Sequence, residues 1–215
     1  MTSRHHMLTT NEAAVVSAVS LRTVNRMFDD HILPDSLISS DNGRRILADA
    51  CVYICFFDRT AELLTTQARK FAIHRAEHDR TWHVSIDHIM PEKAWVMWHD
   101  NLAIDLTSFA NLTQCRYRLL DDARHAIVSD PDILGGEPVI RGTRVPAYAV
   151  AGAIASGAPM AEVLEDYPSL DAKKIELAVA YAEANPRHGR PKRMVERLKP
   201  LQAVERRLVE RAARS

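Results

Sequence analysis

Between Asp130 and Pro146 the chain gathers three of its seven glycines and three of its ten prolines around one short apolar pair. Gly135-Gly136 supplies the backbone freedom for a tight turn. Val139-Ile140 then reads as a brief strand and Gly142 as a second turn. Pro146 stops strand pairing and suits the first turn of a helix that follows. The stretch displays no reactive group, so it specifies a small fold more sharply than a reaction.

A chain of 215 residues holds one large domain or two to three small ones. Its 47% hydrophobic and 26% charged residues are an ordinary globular composition. A formal net charge of zero hides an asymmetry: from Arg187 onward ten Lys or Arg face three Glu. The tail is therefore positive by seven and the remainder negative by seven. A basic tail on an acidic body implies an anionic partner for the tail. Cys51, Cys55 and Cys115 form no dense framework. With no signal-peptide pattern at the start, they predict a cytoplasmic protein. No apolar run reaches the roughly 20 residues that span a bilayer, so no membrane partner is expected.

The N-terminal segment carries a helix-turn-helix pattern. Thr9-Thr10-Asn11-Glu12 matches a capping box, with Thr9 as N-cap and Glu12 three residues on. Ala13 to Val16 continue a short helix, Ser17-Ala18-Val19 makes the turn, and Ser20 caps a second helix from Leu21 to Asp29. Leu21, Val24 and Phe28 share one face of it, while Arg22, Thr23, Asn25 and Arg26 point away. Those side chains are what major-groove reading requires: bidentate donors for guanine and an amide for adenine. Leu37-Ile38-Ser39 and Arg44-Arg45-Ile46-Leu47 around Asp41-Asn42-Gly43 predict a β-hairpin, its Arg44 and Arg45 suited to backbone phosphate. Asp49 begins another helix that buries Ala50, Val52, Tyr53, Phe56 and Phe57. Over about the first 57 residues this segment resembles the winged helix of MerR-type regulators. The likeness rests on Leu8-Thr9, Glu12-Ala13-Ala14, Val19 to Arg26, Ile32-Leu33 and Arg44-Arg45.

From Arg59 to Ala76 an amphipathic helix fits Leu63, Leu64, Ala68, Phe71 and Ala72. After the apolar run Trp82 to Ile86, Ala94 to Trp98 and Leu102 to Leu106 read as a hairpin around His99-Asp100-Asn101. Thr107-Ser108 caps a helix to about Arg124. This middle region reads as a connector with a small β-element.

Beyond Pro146, a helix from Tyr148 to Ser156 stops at Gly157. Pro159 starts a second, with Ala161, Val163, Leu164 and Tyr167 inward, and Pro168 closes it. Ser169-Leu170-Asp171 caps a third, with Ile175, Leu177, Ala178, Val179 and Tyr181 apolar, ending before Pro186. Val128 to Pro131, Gly135 to Pro146, Ala155 to Ala158, Glu162 to Pro168, Leu170 and Ala178 to Ala182 together resemble the family known as domain of unknown function 433. That resemblance implies a homeodomain-like antitoxin of a type II toxin–antitoxin pair, similar to VapB-type antitoxins whose partners are often PIN-like ribonucleases. Glu162, Glu165 and Asp166 on the middle helix would repel phosphate, which leaves DNA to the N-terminal helices and this bundle to protein contacts. Arg141 and Arg144 read as surface arginines pinning the turn to neighbouring carboxylates.

In the tail, Arg187, Arg190, Lys192, Arg193 and Arg197 are the expected toxin contacts. A basic segment can fold onto the acidic metal cluster of a PIN-like nuclease and pair with its carboxylates. An unspecific tail adding electrostatic DNA affinity is the competing reading. Met194 to Leu198 and Val204 to Val209 look weakly helical. His74 and His78 have helical spacing but no third ligand of defined geometry, and Cys51 with Cys55 reads as buried packing. Neither a nucleophile elbow, a phosphate loop nor a dinucleotide fingerprint is present, so neither catalysis, a cofactor nor a metal is expected.

The expected architecture is mainly α with small β-hairpins. Residues 1–57 form a MerR-like winged helix-turn-helix, 58–125 a connector of helix, β-hairpin and helix, 126–186 a homeodomain-like three-helix bundle, and 187–215 a basic tail ordered on binding. The expected function is an antitoxin that neutralises a PIN-like ribonuclease and represses its own operon as a homodimer on operator DNA. The alternatives are a stand-alone MerR-like regulator sensing a small ligand and a purely structural adaptor.

Overall fold

The computed structural model describes residues 6–41, 43–78, 96–99 and 102–187. The chain is mainly helical with small antiparallel sheets, and it divides into two compact units, Met1–His125 and Ala126–Ser215.

In the first unit β1 (Met7–Thr9) leads directly into α1 (Thr10–Ser17). Thr9 caps it reciprocally: Glu12 N–H donates to Thr9 Oγ1 at 3.2 Å, and Glu12 Oε2 accepts from Thr9 N–H at 2.8 Å. Ala18 closes the helix in the left-handed conformation at φ 52°, and Val19 N–H returns to Ala14 O at 3.0 Å. That sharp stop turns the chain straight into α2 (Leu21–Asp29), whose cap Ser20 accepts from Thr23 N–H at 2.9 Å. On α2 the side chains sunk into the core are Val24 and Met27, with Leu21 and Phe28 half-buried at the rim. The expected apolar face of Leu21, Val24 and Phe28 is thus turned toward Met27, because Phe28 lies beneath the Arg44 guanidinium instead.

A 3-10 turn at Asp35–Leu37 leads into β2 (Ile38–Ser39), which pairs antiparallel with β3 (Arg45–Leu47). β3 also pairs with β1, so the sheet order is β1-β3-β2. Asn42, at the expected turn of this hairpin, lies outside the described residues. Next comes α3 (Ala50–Arg59), buried at every position from Ala50 to Phe57. A helix apolar all round belongs at the centre of its unit, and α1 and α2 pack around it. Cys51 and Cys55 are part of that packing.

The helix expected over Arg59 to Ala76 forms only from Thr66 onward: Arg59 is the last residue of α3, and residues 60–65 turn. Thr60 Oγ1 donates back to Phe56 O at 2.8 Å and the chain turns out of α3. A new start at Thr65, whose Oγ1 accepts from Ala68 N–H at 3.2 Å, opens α4 (Thr66–His78). The break rotates the stripe: Leu63 is 80% and Phe71 47% exposed, while Arg69, Ala72 and Ile73 are buried. β4 (Val96–His99) and β5 (Leu102–Asp105) form the expected hairpin, in register Val96 with Asp105 and His99 with Leu102. The run Trp82 to Ile86 lies outside the described residues. α5 (Thr107–Ala126) opens with Thr107 N–H donating to Asp105 Oδ1 at 2.8 Å. It buries Ala110, Thr113, Tyr117 and Leu120, one face at helical spacing.

In the second unit β6 (Ile127–Val128) pairs antiparallel with β7 (Val139–Ile140). The connecting loop makes a 3-10 turn at Leu134–Gly136 with φ of 48°, 66° and 86° at its three residues. Gly142 at φ 77° turns the chain back, so that Val139 also bridges Pro146. Three helices follow: α6 (Ala147–Ala155), α7 (Met160–Asp166) and α8 (Ala172–Ala184). Pro146 and Pro159 each stand at the N-cap, one position outside the helix. Asp171 caps α8 by accepting from Lys174 N–H at 2.8 Å. Ile127, Ile140, Ala147, Val150, Val163, Leu170, Ile175 and Ala178 form the core. Ala161, expected inward, is exposed, and Val163 is the buried residue of α7. On α8, Ile175, Leu177, Ala178, Ala180 and Ala184 are buried, Val179 is half-buried, and Tyr181 packs half-buried against the core.

Candidate nucleic-acid interface

α2 and the β2–β3 hairpin carry the six expected DNA-contacting side chains, Arg22, Thr23, Asn25 and Arg26 on the helix and Arg44 and Arg45 at the hairpin. Arg22 and Arg26 are exposed, Thr23 and Asn25 half-buried, Arg44 exposed and Arg45 half-buried. They are not equivalent. Arg22 and Arg45 make no ion pair among the described residues. Arg26 Nε lies 3.6 Å from Asp30 Oδ2, an exposed pair that contributes little to stability and opens at little cost. Thr23 is committed to the cap, its Oγ1 lying 2.9 Å from Ser20 Oγ. Arg45 sits on the middle strand β3, opposite Thr9 on one side and Ser39 on the other.

Arg44 is held by α2. Its Nη2 approaches Asp29 Oδ1 at 2.6 Å and its Nη1 donates to Asp29 Oδ2 at 3.1 Å, a two-bond fork. Nη1 also donates to Asn25 Oδ1 at 3.2 Å, and the guanidinium carbon stands 5.3 Å from the Phe28 ring centroid. The expected pairing of Arg44 with phosphate therefore competes with an intramolecular anion. Asp29 is the residue that sequence reasoning passed over. Its signal is position: a carboxylate in the last turn of a helix opposes the macrodipole and calls for a nearby cation.

Behind this surface, Glu12 joins α1 to α5. Its side chain is 8% exposed, and its Oε1 accepts from Arg124 Nη2 at 2.7 Å and Nε at 3.2 Å. The capping carboxylate is thus fixed by a cation 112 residues away, which no local pattern reveals. On the buried helix α3, desolvation pushes the Cys51 thiol pKa up to about 12.

The expected toxin contacts divide. Arg187 pairs with Glu137 and stacks 4.3 Å from the Tyr148 ring centroid, while Tyr148 Oη donates to Asn185 O at 2.7 Å. Burial raises the Tyr148 pKa, with Tyr181 adding to it and Arg187 opposing it. Arg187 is therefore engaged within its own unit. Arg190, Lys192, Arg193 and Arg197, and the expected tail helices, lie outside the described residues. Arg144 is exposed with no ion pair among the described residues, so it does not pin the turn as expected. Among the described residues no three His, Cys, Asp or Glu side chains gather into a metal-holding group, and no helix is long and apolar enough to cross a membrane.

Residues 127–182 match the family described as "Protein of unknown function (DUF433)". The uncharacterized protein y4eO of Sinorhizobium fredii is 49% identical over 190 residues, spanning 86% of this chain and 84% of that protein. No solved structure matches significantly.

Proposed function

The chain belongs to the family of the y4eO protein and contains a DUF433 segment, and from that premise we propose that it is a DNA-binding antitoxin. In this reading the first unit is a MerR-like winged helix-turn-helix that grips operator DNA: α2 enters the major groove and the β2–β3 hairpin is the wing. Arg22 and Arg26 read base edges and Arg45 meets phosphate. The second unit, a homeodomain-like bundle, and the basic tail engage a partner protein, a PIN-like ribonuclease whose acidic site attracts the tail. A homodimer supplies the two recognition helices that a palindromic operator needs, about one DNA turn apart.

One observation carries the reading: a sharply capped second helix with outward Arg22 and Arg26, followed after a short 3-10 turn by a hairpin bearing Arg45. The acidic character of α7, with Glu162, Glu165 and Asp166 exposed, supports assigning the second unit to protein rather than DNA.

The test has two arms. Gel-shift titration of the full chain against the DNA upstream of its own gene should give a specific complex that Arg22→Ala weakens by about 1–3 kcal/mol. Co-expression with the neighbouring small open reading frame should yield a stable complex that loses nuclease activity, and deleting residues 187–215 should release that activity while sparing DNA binding. Full neutralisation by the truncated protein would remove the tail from the mechanism. Specific DNA binding with no protein partner, and a thermal shift with a small ligand, would favour a stand-alone regulator.

A further inference from the structure

Asn25 is the residue of α2 best equipped to choose a base. A free amide presents an acceptor and a donor side by side, the pair that matches adenine N6–H and N7. Here Asn25 Oδ1 is already taken by Arg44 Nη1 at 3.2 Å. A guanidinium carries donors only, so the amide oxygen and not its NH2 must face it. Arg44 has two further contacts that orient it: Asp29 bonds it twice, at 2.6 and 3.1 Å, and the Phe28 ring centroid lies 5.3 Å from its guanidinium carbon. Asn25 and Asp29 are one helical turn apart on α2, so a single side chain from the hairpin clips both.

We infer that Arg44 is a specificity-determining positioning residue: by bonding the Asn25 oxygen it takes one of that oxygen's two lone pairs, turns the oxygen toward the hairpin, and leaves the NH2 as the freer group for a base edge. An amide presented through its NH2 suits the N7 acceptor shared by adenine and guanine and weakens the bidentate match to adenine, which needs the oxygen turned to the base as well. The Arg44 charge is neutralised by Asp29, so it releases no counterion from DNA. This inference rests on the DNA-binding reading above, and it separates Arg44 from Arg45 in role although the two are adjacent in sequence.

The experiment uses full-length wild type, Arg44→Ala, Arg44→Lys, Asp29→Asn, Asn25→Ala and the Arg44→Ala/Asn25→Ala double variant. Each is titrated against a randomised duplex pool, at salt between about 50 and 200 mM. The position read by Asn25 is the one whose preference Asn25→Ala erases. There the wild type should accept adenine and guanine about equally, and Arg44→Ala should favour adenine by about tenfold with an unchanged salt slope. Arg44→Lys should behave like Arg44→Ala, since an ammonium cannot hold Asp29 by a fork and Asn25 together. Asp29→Asn should shift preference in the same direction, and the double variant should lose it. The inference is overturned if Arg44→Ala weakens all sequences evenly and lowers the salt slope by about one, with lysine restoring both, because Arg44 then contacts phosphate. Specific wild-type binding with base preference unmoved in Arg44→Ala overturns it as well. A wild type that binds no duplex overturns the DNA-binding reading and this inference with it.

Discussion

Replacing Arg124 by alanine takes away the cation that faces a buried carboxylate. Glu12 uses its two oxygens for different partners. Oε2 accepts from Thr9 N–H at 2.8 Å and Thr9 Oγ1 at 3.1 Å, while Oε1 accepts both Arg124 bonds, at 2.7 and 3.2 Å. In Arg124→Ala the first oxygen keeps its partners and the second loses both. Breaking a fully buried pair costs about 3–5 kcal/mol. The surviving Thr9 bonds and the water let in by shortening a side chain that is itself 29% exposed reduce this to about 2–3 kcal/mol. Glu12→Ala has a different balance. It loses the cap, about 1 kcal/mol, and strands an arginine that turns readily into solvent, so about 1–2 kcal/mol is expected in all. Removing the solvent-facing partner should therefore harm more than removing the buried one. The double variant should be no less stable than Arg124→Ala alone, because the orphaned carboxylate is gone, and the two changes should couple by more than about 1 kcal/mol. Urea unfolding followed by circular dichroism measures all four corners of this cycle. A cost below about 0.5 kcal/mol for Arg124→Ala, a value smaller than for Glu12→Ala, or simple additivity would refute the reasoning.

Two glycines make opposite predictions although an added Cβ meets no atom within 4 Å at either. Gly142 is at φ 77°, so Gly142→Ala should cost about 1–2 kcal/mol through backbone strain alone. Gly152 lies inside α6, where Gly152→Ala should stabilise by about 0.5–1 kcal/mol; thermal melts of the pair test both signs. The cysteines predict a labelling pattern: the native protein should react with a thiol reagent at exposed Cys115 and not at buried Cys51 or Cys55, all three reacting in denaturant. The Cys51 thiol, ordinarily at 9.0 and pushed to about 12 by burial, also sets a pH dependence. Between those values the unfolded chain releases a proton that the folded chain keeps. Stability should then fall as pH rises above about 9, by up to about 1.4 kcal/mol per unit from this group. Unfolding midpoints from pH 8 to 10 that stay level or rise would contradict it.

Features set by near neighbours along the chain are legible in the sequence. The Thr9–Glu12 capping box, the Ser20 cap with α2 ending at Asp29, the Gly157 stop and the Asp171 cap all depend on bonds spanning a few residues. Legibility fails where short polar side chains compete with the helix. Thr60 and Thr65 each bond a backbone group at the two ends of a turn, and the helix begins only at Thr66 in a stretch whose apolar spacing suggests one from Arg59. Periodicity counted straight across that break puts Leu63 and Phe71 inside, and both are exposed.

Where helices begin and stop, and that arginines gather on α2 and the hairpin after it, can be read along the chain, since capping, turns and charge are local properties. What those arginines are free to do depends on how the elements fold together. Asp29 neutralises Arg44, Asn25 lends it an oxygen, and Arg22 and Arg45 are left without an ion pair among the described residues. The reason is geometric: a side chain's partner is set by which elements fold against it. Arg44 meets Asp29 across 15 residues and Glu12 meets Arg124 across 112, separations that carry no periodic trace in the chain.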